Sequence, residues 1–179
     1  MGGEDSVVLG LDNGGNKNNA TVLHPTKGWL VDRLVETPSR VKEGPDVALV
    51  ALAFAFEGIL RQTGLPREAV RAVGLDTPGP ASAEGVISSR GSTNFSHPGW
   101  NGFDFRCALE SRLQLPVVYN NDGNAAALYA HHSCFGAEAA HHSSVSAIVG
   151  KGLGGGVIEA GRIVKGAGGM ARELAQGQH

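Results

Sequence analysis

The residues best suited to chemistry lie in short polar segments that directly follow apolar runs. The first is Asp12 to Lys17, an aspartate followed by paired glycines, after the apolar run Ser6 to Leu11. Adjacent glycines leave backbone N–H groups unobstructed, and such a turn can hold phosphate oxygens. Asp12 could hold a magnesium ion through water, because this ion prefers carboxylates and keeps several waters. Taken alone, an Asn-Gly-Gly turn is more often a plain hairpin.

A second glycine-rich segment, Gly150 to Gly156, lies between two further apolar runs and contains five glycines in seven positions. That density costs chain entropy, so we expect something to approach the backbone closely there. The segment matches neither a Walker loop, which needs Ser or Thr after its lysine, nor a dinucleotide fingerprint. A flexible hairpin without a ligand is the alternative.

A third segment, Asn120 to Ala127, joins an apolar strand to a helix and carries Asp122 at the junction. A carboxylate in this place often caps the helix. It can also act as the general base that takes the proton from an attacking hydroxyl, as an aspartate does in other phosphoryl-transfer enzymes. Two further polar loops, Asp76 to Pro80 and Gly91 to Asn94, interrupt strands in the way that ligand-binding loops of α/β folds do.

The elements that position these segments follow from apolar periodicity. Alternation and short apolar runs predict strands, and an apolar face at helical spacing predicts helices. The predicted strands are Ser6–Leu11, Ala20–Leu23, Trp29–Thr37, Ala69–Leu75, Pro116–Tyr119, Ser144–Val149, Gly155–Ala160 and Arg162–Val164, and the predicted helices are Pro45–Thr63, Phe103–Leu113 and one that starts at Asn124. A strand–glycine turn–strand pattern occurs twice, which indicates a distant internal duplication.

Composition limits the class of protein. The chain has 179 residues, a formal net charge of −2 and 41% hydrophobic residues, enough for one domain or one domain with part of another. The near-neutral charge offers no electrostatic reason to expect a nucleic acid or an anionic membrane as a partner. The N-terminus lacks the basic and apolar regions of a secretory signal, so we expect a cytoplasmic protein.

The cysteines and histidines suggest no metal site. Cys107 and Cys134 suit neither a disulfide framework nor a metal knuckle, and we expect reduced thiols that pack as small hydrophobes. The pairs His131-His132 and His141-His142 flank a stretch of small residues. We interpret them as a solvated helix end and loop rather than as metal ligands.

Taken in order, these segments resemble the motifs of the ROK family of bacterial glucokinases, sugar kinases and sugar-responsive repressors. The family's first phosphate motif, Asp-x-Gly-Gly-Thr-Lys, corresponds to Asp12 to Lys17, and its Pro-Gly loop corresponds to Thr77-Pro78-Gly79. The most diagnostic stretch, Leu-Pro-Val-x-x-x-Asn-Asp-x-Asn-Ala-x-Ala, corresponds to Leu115 to Ala127. The remaining matches are Asn94 to Asp104, Gly150 to Gly156 and Glu173-Leu174.

The resemblance implies an actin/hexokinase-like (ribonuclease H-like) α/β fold, with a mixed sheet that begins with three antiparallel strands. It implies a complete first domain, residues 1–120, and the start of a second, truncated domain, residues 121–179. It also implies a hexose kinase that phosphorylates glucose or a related hexose at the 6-hydroxyl. The phosphoryl donor would be ATP or polyphosphate, with Mg²⁺ as the cofactor.

The same resemblance assigns roles to individual residues. Asp122 would be the catalytic base for the sugar 6-hydroxyl, and Asp12 would orient magnesium-bound water. The hydroxyls of the hexose would be bound by Gly79, Asn94, Asn121, Asp122 and Glu173. The donor phosphates would be held by the two glycine loops, through Asp12, Gly14, Gly15, Asn16, Lys17, Gly150, Lys151, Gly152 and Gly154.

The chain departs from the family pattern at several of these positions. Asn16 and Lys151 replace the threonines of the two phosphate motifs, and Arg172 replaces the glycine before Glu173. Asparagine can still donate a hydrogen bond, whereas lysine supplies a charge and needs more room. A non-catalytic sugar-binding remnant, or an inactive truncated chain, is therefore the alternative to a kinase. The repressor class is disfavoured, because only six residues precede Val7, where such repressors carry a DNA-binding domain.

The strands from Ser144 onward are expected to be the less stable part of the chain. Their apolar residues need helices on at least one face, and the sequence shows no helix after them. Exposed strand edges and apolar faces favour pairing with another copy of the chain, which leaves a homodimer open.

Overall fold

A computed structural model describes residues 6–88, 93–149 and 153–164. Within these residues the chain forms two sheets and three α-helices. The first sheet contains β1 (Val7–Asn13), β2 (Lys17–His24), β3 (Gly28–Trp29), β4 (Val35–Pro38), β5 (Val70–Thr77) and β6 (Val117–Asn121). The helices are α1 (Pro45–Thr63), α2 (Phe105–Leu113) and α3 (Asp122–Phe135), and the second sheet contains β7 (Ser144–Val149), β8 (Leu153–Glu159) and β9 (Arg162–Ile163).

The first sheet is mixed. β1 pairs antiparallel with β2 and parallel with β5, and β5 pairs parallel with β6. β3 and β4 both pair antiparallel with β2, so the strand order is β3-β2-β1-β5-β6 with β4 also on β2. The predicted α/β fold with leading antiparallel strands is confirmed. Because β1, β5 and β6 run in one direction, their carboxyl ends meet at one edge of the sheet, where α/β folds bind ligands.

One face of the first sheet carries the hydrophobic core. Successive side chains of a strand point to opposite faces, and the inward set of β1, Val7, Leu9 and Leu11, is buried. α1 and α2 pack against this face. The buried Trp100 lies among aromatic rings beside α2, and its Nε1 donates a hydrogen bond to the Val41 carbonyl at 2.7 Å. The largest core side chain therefore has its polar atom satisfied.

The helix ends follow local signals in the sequence. α1 begins at Pro45, where the missing N–H is not needed, and ends at Gly64, whose φ of 69° is the left-handed conformation that glycine favours. α2 is capped by Asp104, whose carboxylate accepts a hydrogen bond from the Cys107 N–H at 2.8 Å. This cap makes the helix begin two residues later than predicted.

The opposite face of the first sheet is only partly covered. Val8, Leu23 and Val118 are 40%, 36% and 63% exposed, respectively. Gly10 and Gly74 pair with each other on β1 and β5 and leave the centre of this face without side chains. α3 reaches over part of the face, where the ring of its Tyr129 lies 6.1 Å from that of Trp29.

The second sheet is antiparallel, in the order β7-β8-β9, and α3 packs against β8. A Cβ at Gly156 would lie 2.6 Å from the Cβ of Ala127, and a Cβ at Gly123 would lie 3.1 Å from the carbonyl oxygen of Gly155. The helix and the strand are therefore too close for any larger side chain. α3 is thus one group that approaches the glycine-rich backbone, which accounts for part of its glycine density.

Other predicted boundaries also differ from the structure, including those of the second and third strands. The predicted strand Trp29–Thr37 is interrupted and forms β3 and β4. On β2, Leu23 pairs with Trp29 and Ala20 pairs with Val35, so three steps along β2 correspond to six steps along the opposite segment. The extra residues must leave the ladder. The turn between the first two strands is shorter than the predicted loop, since Asp12 and Asn13 already pair with β2.

Two predictions about individual side chains are wrong. Cys107 and Cys134 are free but exposed, so they do not pack as small hydrophobes. His131 is buried rather than solvated, and its ring nitrogens lie 2.8 Å from Ser144 Oγ and 2.8 Å from the Ala139 carbonyl oxygen. His131 follows the buried Ala127 by four residues, and this spacing places both side chains on the same face of α3.

Candidate active site

The turn between β1 and β2, Gly14-Gly15-Asn16, is held by backbone hydrogen bonds. The Gly14 N–H donates to the Lys17 carbonyl at 2.9 Å, and the Ser39 N–H donates to the Asn16 carbonyl at 3.0 Å. The Lys17 ammonium forms an exposed ion pair with Glu36 at 2.6 Å. Exposed pairs are weak, so this ammonium remains able to bind another anion.

Neither Gly14 nor Gly15 adopts the left-handed backbone conformation. They are glycines for reasons of space: a Cβ at Gly14 would lie 2.9 Å from the Lys17 carbonyl oxygen, and a Cβ at Gly15 would lie 2.2 Å from Asn94 Oδ1. The structure therefore brings the turn of the first phosphate motif into contact with Asn94, which the motif resemblance assigns to the sugar.

Three aspartates line a single cleft of about 820 Å³ between the first sheet and α3. Asp12 and Asp76 are paired neighbours at the carboxyl ends of β1 and β5. Asp122 is the first residue of α3. Asp12 Oδ2 accepts a hydrogen bond from Asn19 Nδ2 at 2.7 Å, which orients its carboxylate.

Asp76 holds its proton more tightly than an ordinary aspartate does. Burial raises the pKa of Asp76 to about 8, and the charge of Asp12, a hydrogen bond with Asp12 and the charge of Asp122 add to the rise. Two adjacent carboxylates in a partly desolvated site rarely ionise together, because their like charges repel. Asp76 is the site residue that motif matching did not single out. The available signal was its position at the end of a buried strand, directly before the Pro-Gly loop.

The pKa of Asp122 is also raised, chiefly by desolvation, with a further contribution from the charge of Asp12. The Gly123 N–H donates to Asp122 Oδ1 at 2.7 Å and opposes the rise. The side chain stays accessible from the cleft. A carboxylate with a raised pKa is a stronger base than an ordinary aspartate, which suits proton abstraction.

Asn121, rather than Asp122, caps α3. Asn121 Oδ1 accepts a hydrogen bond from the Asn124 N–H at 2.8 Å. The capping alternative for Asp122 is therefore wrong, and its carboxylate is left to face the cleft. The side-chain amide of Asn121 can still donate hydrogen bonds to a ligand.

The remaining predicted residues are only partly described. Gly79 lies in the loop after β5. The last residue of this strand is Thr77, whose Oγ1 is 2.7 Å from the buried Tyr119 hydroxyl. Gly154 pairs with Ile148 inside the second sheet, so it lies in a strand and not in a loop. Gly150, Lys151, Gly152 and Glu173 lie outside the described residues.

The donor set of the cleft fits magnesium held mainly through water. In the described part of the chain, no three Asp, Glu, His or Cys side chains are arranged to hold a metal ion directly. The Asp12 carboxylate stands at the cleft beside the hairpin turn, and Mg²⁺ commonly uses one or two carboxylates, retained waters and substrate phosphates. Among the helices of the same residues, none is long and apolar enough to cross a membrane.

A mixed sheet with leading antiparallel strands, carboxylates at the carboxyl ends of its parallel strands, and a second sheet that begins with an antiparallel hairpin are features of the actin/hexokinase-like class of α/β proteins. Within this class, a profile of the ROK family matches residues 8–177, and the chain belongs to that family.

Individual relatives agree with this assignment. The chain is 32% identical over 170 residues to the glucokinase of Streptomyces coelicolor, covering 94% of this chain and 48% of the relative. Among solved structures, it resembles the ROK hexokinase from Thermus thermophilus, with a TM-score of 0.76, 39% identity and coverage of 94% of this chain and 52% of that one. It also resembles a ROK family glucokinase from Streptomyces griseus in complex with glucose and AMPPNP (TM-score 0.65, 29% identity, coverage 94% and 49%). The chain thus spans about half the length of these relatives.

Proposed function

We propose that this chain provides the catalytic-base half of a ROK-type hexose kinase, which phosphorylates glucose or a related hexose at the 6-hydroxyl. The observation that carries the proposal is the place of Asp122: it begins α3, faces the cleft and has a raised pKa. Its neighbour Asn121 would bind the sugar hydroxyls, together with Gly79, Glu173 and Asn94, whose side chain lies against Gly15.

In this mechanism Asp122 accepts the proton of the sugar hydroxyl as that oxygen attacks the terminal phosphorus of the donor. The bond from this phosphorus to the bridging oxygen breaks, and the rest of the donor leaves with the electron pair on that oxygen. Phosphoryl transfer depends mainly on positioning and electrostatics. The base would therefore act together with the hairpin turns, which would position the donor phosphates.

The Gly14 N–H already donates to the Lys17 carbonyl within the turn. The N–H groups of Gly15 and Asn16 would therefore face the donor phosphates. Mg²⁺ near Asp12 would neutralise charge on those phosphates.

The donor is proposed to be ATP, with polyphosphate as the alternative. Support for ATP comes from the Streptomyces griseus relative, whose structure is a complex with glucose and AMPPNP. We also propose that the chain divides at residues 120 and 121. The extensive packing of α3 on β8 supports this division, because the helix belongs more to the second sheet than to the first.

The decisive experiment compares turnover of the protein with that of Asp122→Asn, with glucose and either ATP or polyphosphate as the donor. We expect the parent to form glucose 6-phosphate, identified by ³¹P NMR. Asp122→Asn should lower turnover by at least about a hundredfold, while glucose still binds in calorimetry. Glu68→Gln, at an exposed carboxylate before the amino end of β5, is the matched control and should retain parental turnover.

Turnover of Asp122→Asn within tenfold of the parent would contradict the assignment of the base. Glucose binding by the parent without any turnover would instead favour the non-catalytic sugar-binding protein. That outcome is the second candidate because Asn16 and Lys151 replace the two threonines of the phosphate motifs.

A further inference from the structure

The amide of Asn94 lies directly over the Cα of Gly15. A Cβ at Gly15 would lie 2.2 Å from Asn94 Oδ1 and 2.9 Å from Asn94 Cγ. Because the backbone of Gly15 is not left-handed, an L residue would suit its conformation. This contact, and not the conformation, is what excludes a side chain.

Both partners of the contact are anchored by their neighbours. Below the turn, Asn13 Nδ2 donates to Asn18 Oδ1 at 2.6 Å, and both side chains are buried. On the other side, Phe95 is buried and its ring lies 4.8 Å from that of Trp100. The backbone at both ends of the contact is therefore fixed, and the side chain of Asn94 is the part that can yield.

We infer that Gly15 is a positioning residue for the hexose: its bare Cα lets the Asn94 amide adopt the orientation in which it binds a sugar hydroxyl. This inference rests on the proposed function, in which Asn94 contacts the sugar. It gives Gly15 a second role besides holding the donor phosphates, and it connects the donor turn to the sugar site.

The adjacent glycine offers a matched comparison. A Cβ at Gly14 would meet the Lys17 carbonyl oxygen at 2.9 Å, inside the turn itself, and not Asn94. Gly14→Ala should therefore disturb the turn and the donor, whereas Gly15→Ala should disturb the Asn94 amide. The displaced atoms in Gly15→Ala are the end of a flexible side chain, so we expect its thermal unfolding midpoint to stay within a few degrees of the parent.

The test measures glucose binding by calorimetry in the absence of any donor. Gly15→Ala and Asn94→Ala should each weaken glucose binding about five- to tenfold, as expected for the loss of a hydrogen bond. In the double variant Gly15→Ala/Asn94→Ala the loss should equal that of Asn94→Ala alone, because contacting residues are not additive. Gly14→Ala should bind glucose as the parent does and show a raised KM for the donor.

Several outcomes would contradict the inference. Parental glucose affinity in Gly15→Ala, additive losses in the double variant, or an equal loss in Gly14→Ala would overturn it. Parental affinity in Asn94→Ala would overturn it while leaving the kinase proposal intact if turnover persists. A parent that binds no hexose would remove the proposed function as well. If Gly15→Ala fails to fold because its methyl meets the Asn94 side chain, then the double variant, which lacks that side chain, should fold. A double variant that also fails to fold would show that the contact with Asn94 is not the reason for the glycine.

Discussion

At the residue scale, the environment of the cleft favours the protonated form of one of its three carboxyl groups, that of Asp76. Asp76 Oδ1 is buried without a hydrogen-bond partner among the described residues, and the pKa of this side chain is raised to about 8 by burial and by Asp12 and Asp122. A neutral Asp76 can donate a hydrogen bond to Asp12 and adds no third negative charge. In the proposed mechanism, Asp12 would face the cation and Asp122 would face the sugar hydroxyl.

This proton predicts a pH dependence of stability. The pKa of Asp76 is higher in the folded state than its ordinary value of 3.8, so the folded state binds more protons between these two values. Stability should fall as pH rises from about 4 to about 8, by at most about 1.4 kcal/mol per pH unit. Asp76→Asn cannot ionise, so in metal-free buffer its thermal midpoint should exceed the parent's by several degrees near pH 8 and converge with it near pH 4.

The exposed Asp32→Asn controls for general charge effects and should follow the parent at every pH. If Asp76→Asn also follows the parent across pH 5–9, Asp76 ionises normally in the folded protein and the account of the cleft's charge is wrong.

At the element scale, α3 and β8 can approach closely because the residues at their contact are glycines and an alanine. Ala127 meets Gly156, and Gly123 meets the backbone of Gly155. This contact joins the helix that carries Asp122 at its first turn to the second sheet. The position of the base therefore depends on the close approach of helix and strand, as well as on the first sheet.

Gly156→Ala tests this dependence. Its methyl would lie 2.6 Å from the Ala127 Cβ, and overpacking of this kind destabilises by about 1–3 kcal/mol. Gly154→Ala, in the same strand with no atom within 4 Å of its Cβ, is the matched control. We expect chemical denaturation to show the loss in Gly156→Ala and at most a small change in Gly154→Ala; equal values for the two would refute close packing.

At the scale of the whole molecule, the two sheets differ in how much of their surface is covered. The core residues of β1 are buried, whereas Val145 and Val149 of β7 are 73% and 84% exposed. Among the described residues, α3 is the helix that packs against this second sheet. Segments with few buried apolar contacts open at low free energy.

We therefore expect amides of residues 144–149 to exchange with deuterium faster than those of residues 7–11 and 73–75. The 179-residue chain should also self-associate as its concentration rises, through the exposed apolar residues of β7. Exchange measured by mass spectrometry, with sedimentation at two concentrations, checks both expectations. Equal protection of the two sheets in a dilute monomer would contradict them.

Local sequence signals were sufficient to predict several helix ends and turns of this protein. Pro45 is the first residue of α1 and Gly64 directly follows its last residue, and the first phosphate motif marks a turn through adjacent residues. These features depend on conformational preferences a few residues in range. The order of the motifs was sufficient to indicate the ROK family and Asp122, although not the roles that stay proposals.

Only the tertiary structure decided which distant residues meet. Asp76 becomes a neighbour of Asp12 because β1 and β5 pair in parallel and in register, and Asn94 meets Gly15 because the chain returns to the turn after β5. His131 is buried because the turn after α3 and β7 fold around it. Such contacts depend on strand pairing and packing between segments far apart in the chain, and no local preference encodes them. The raised pKa of Asp76 and the lack of space for a side chain at Gly15 are therefore properties of the fold.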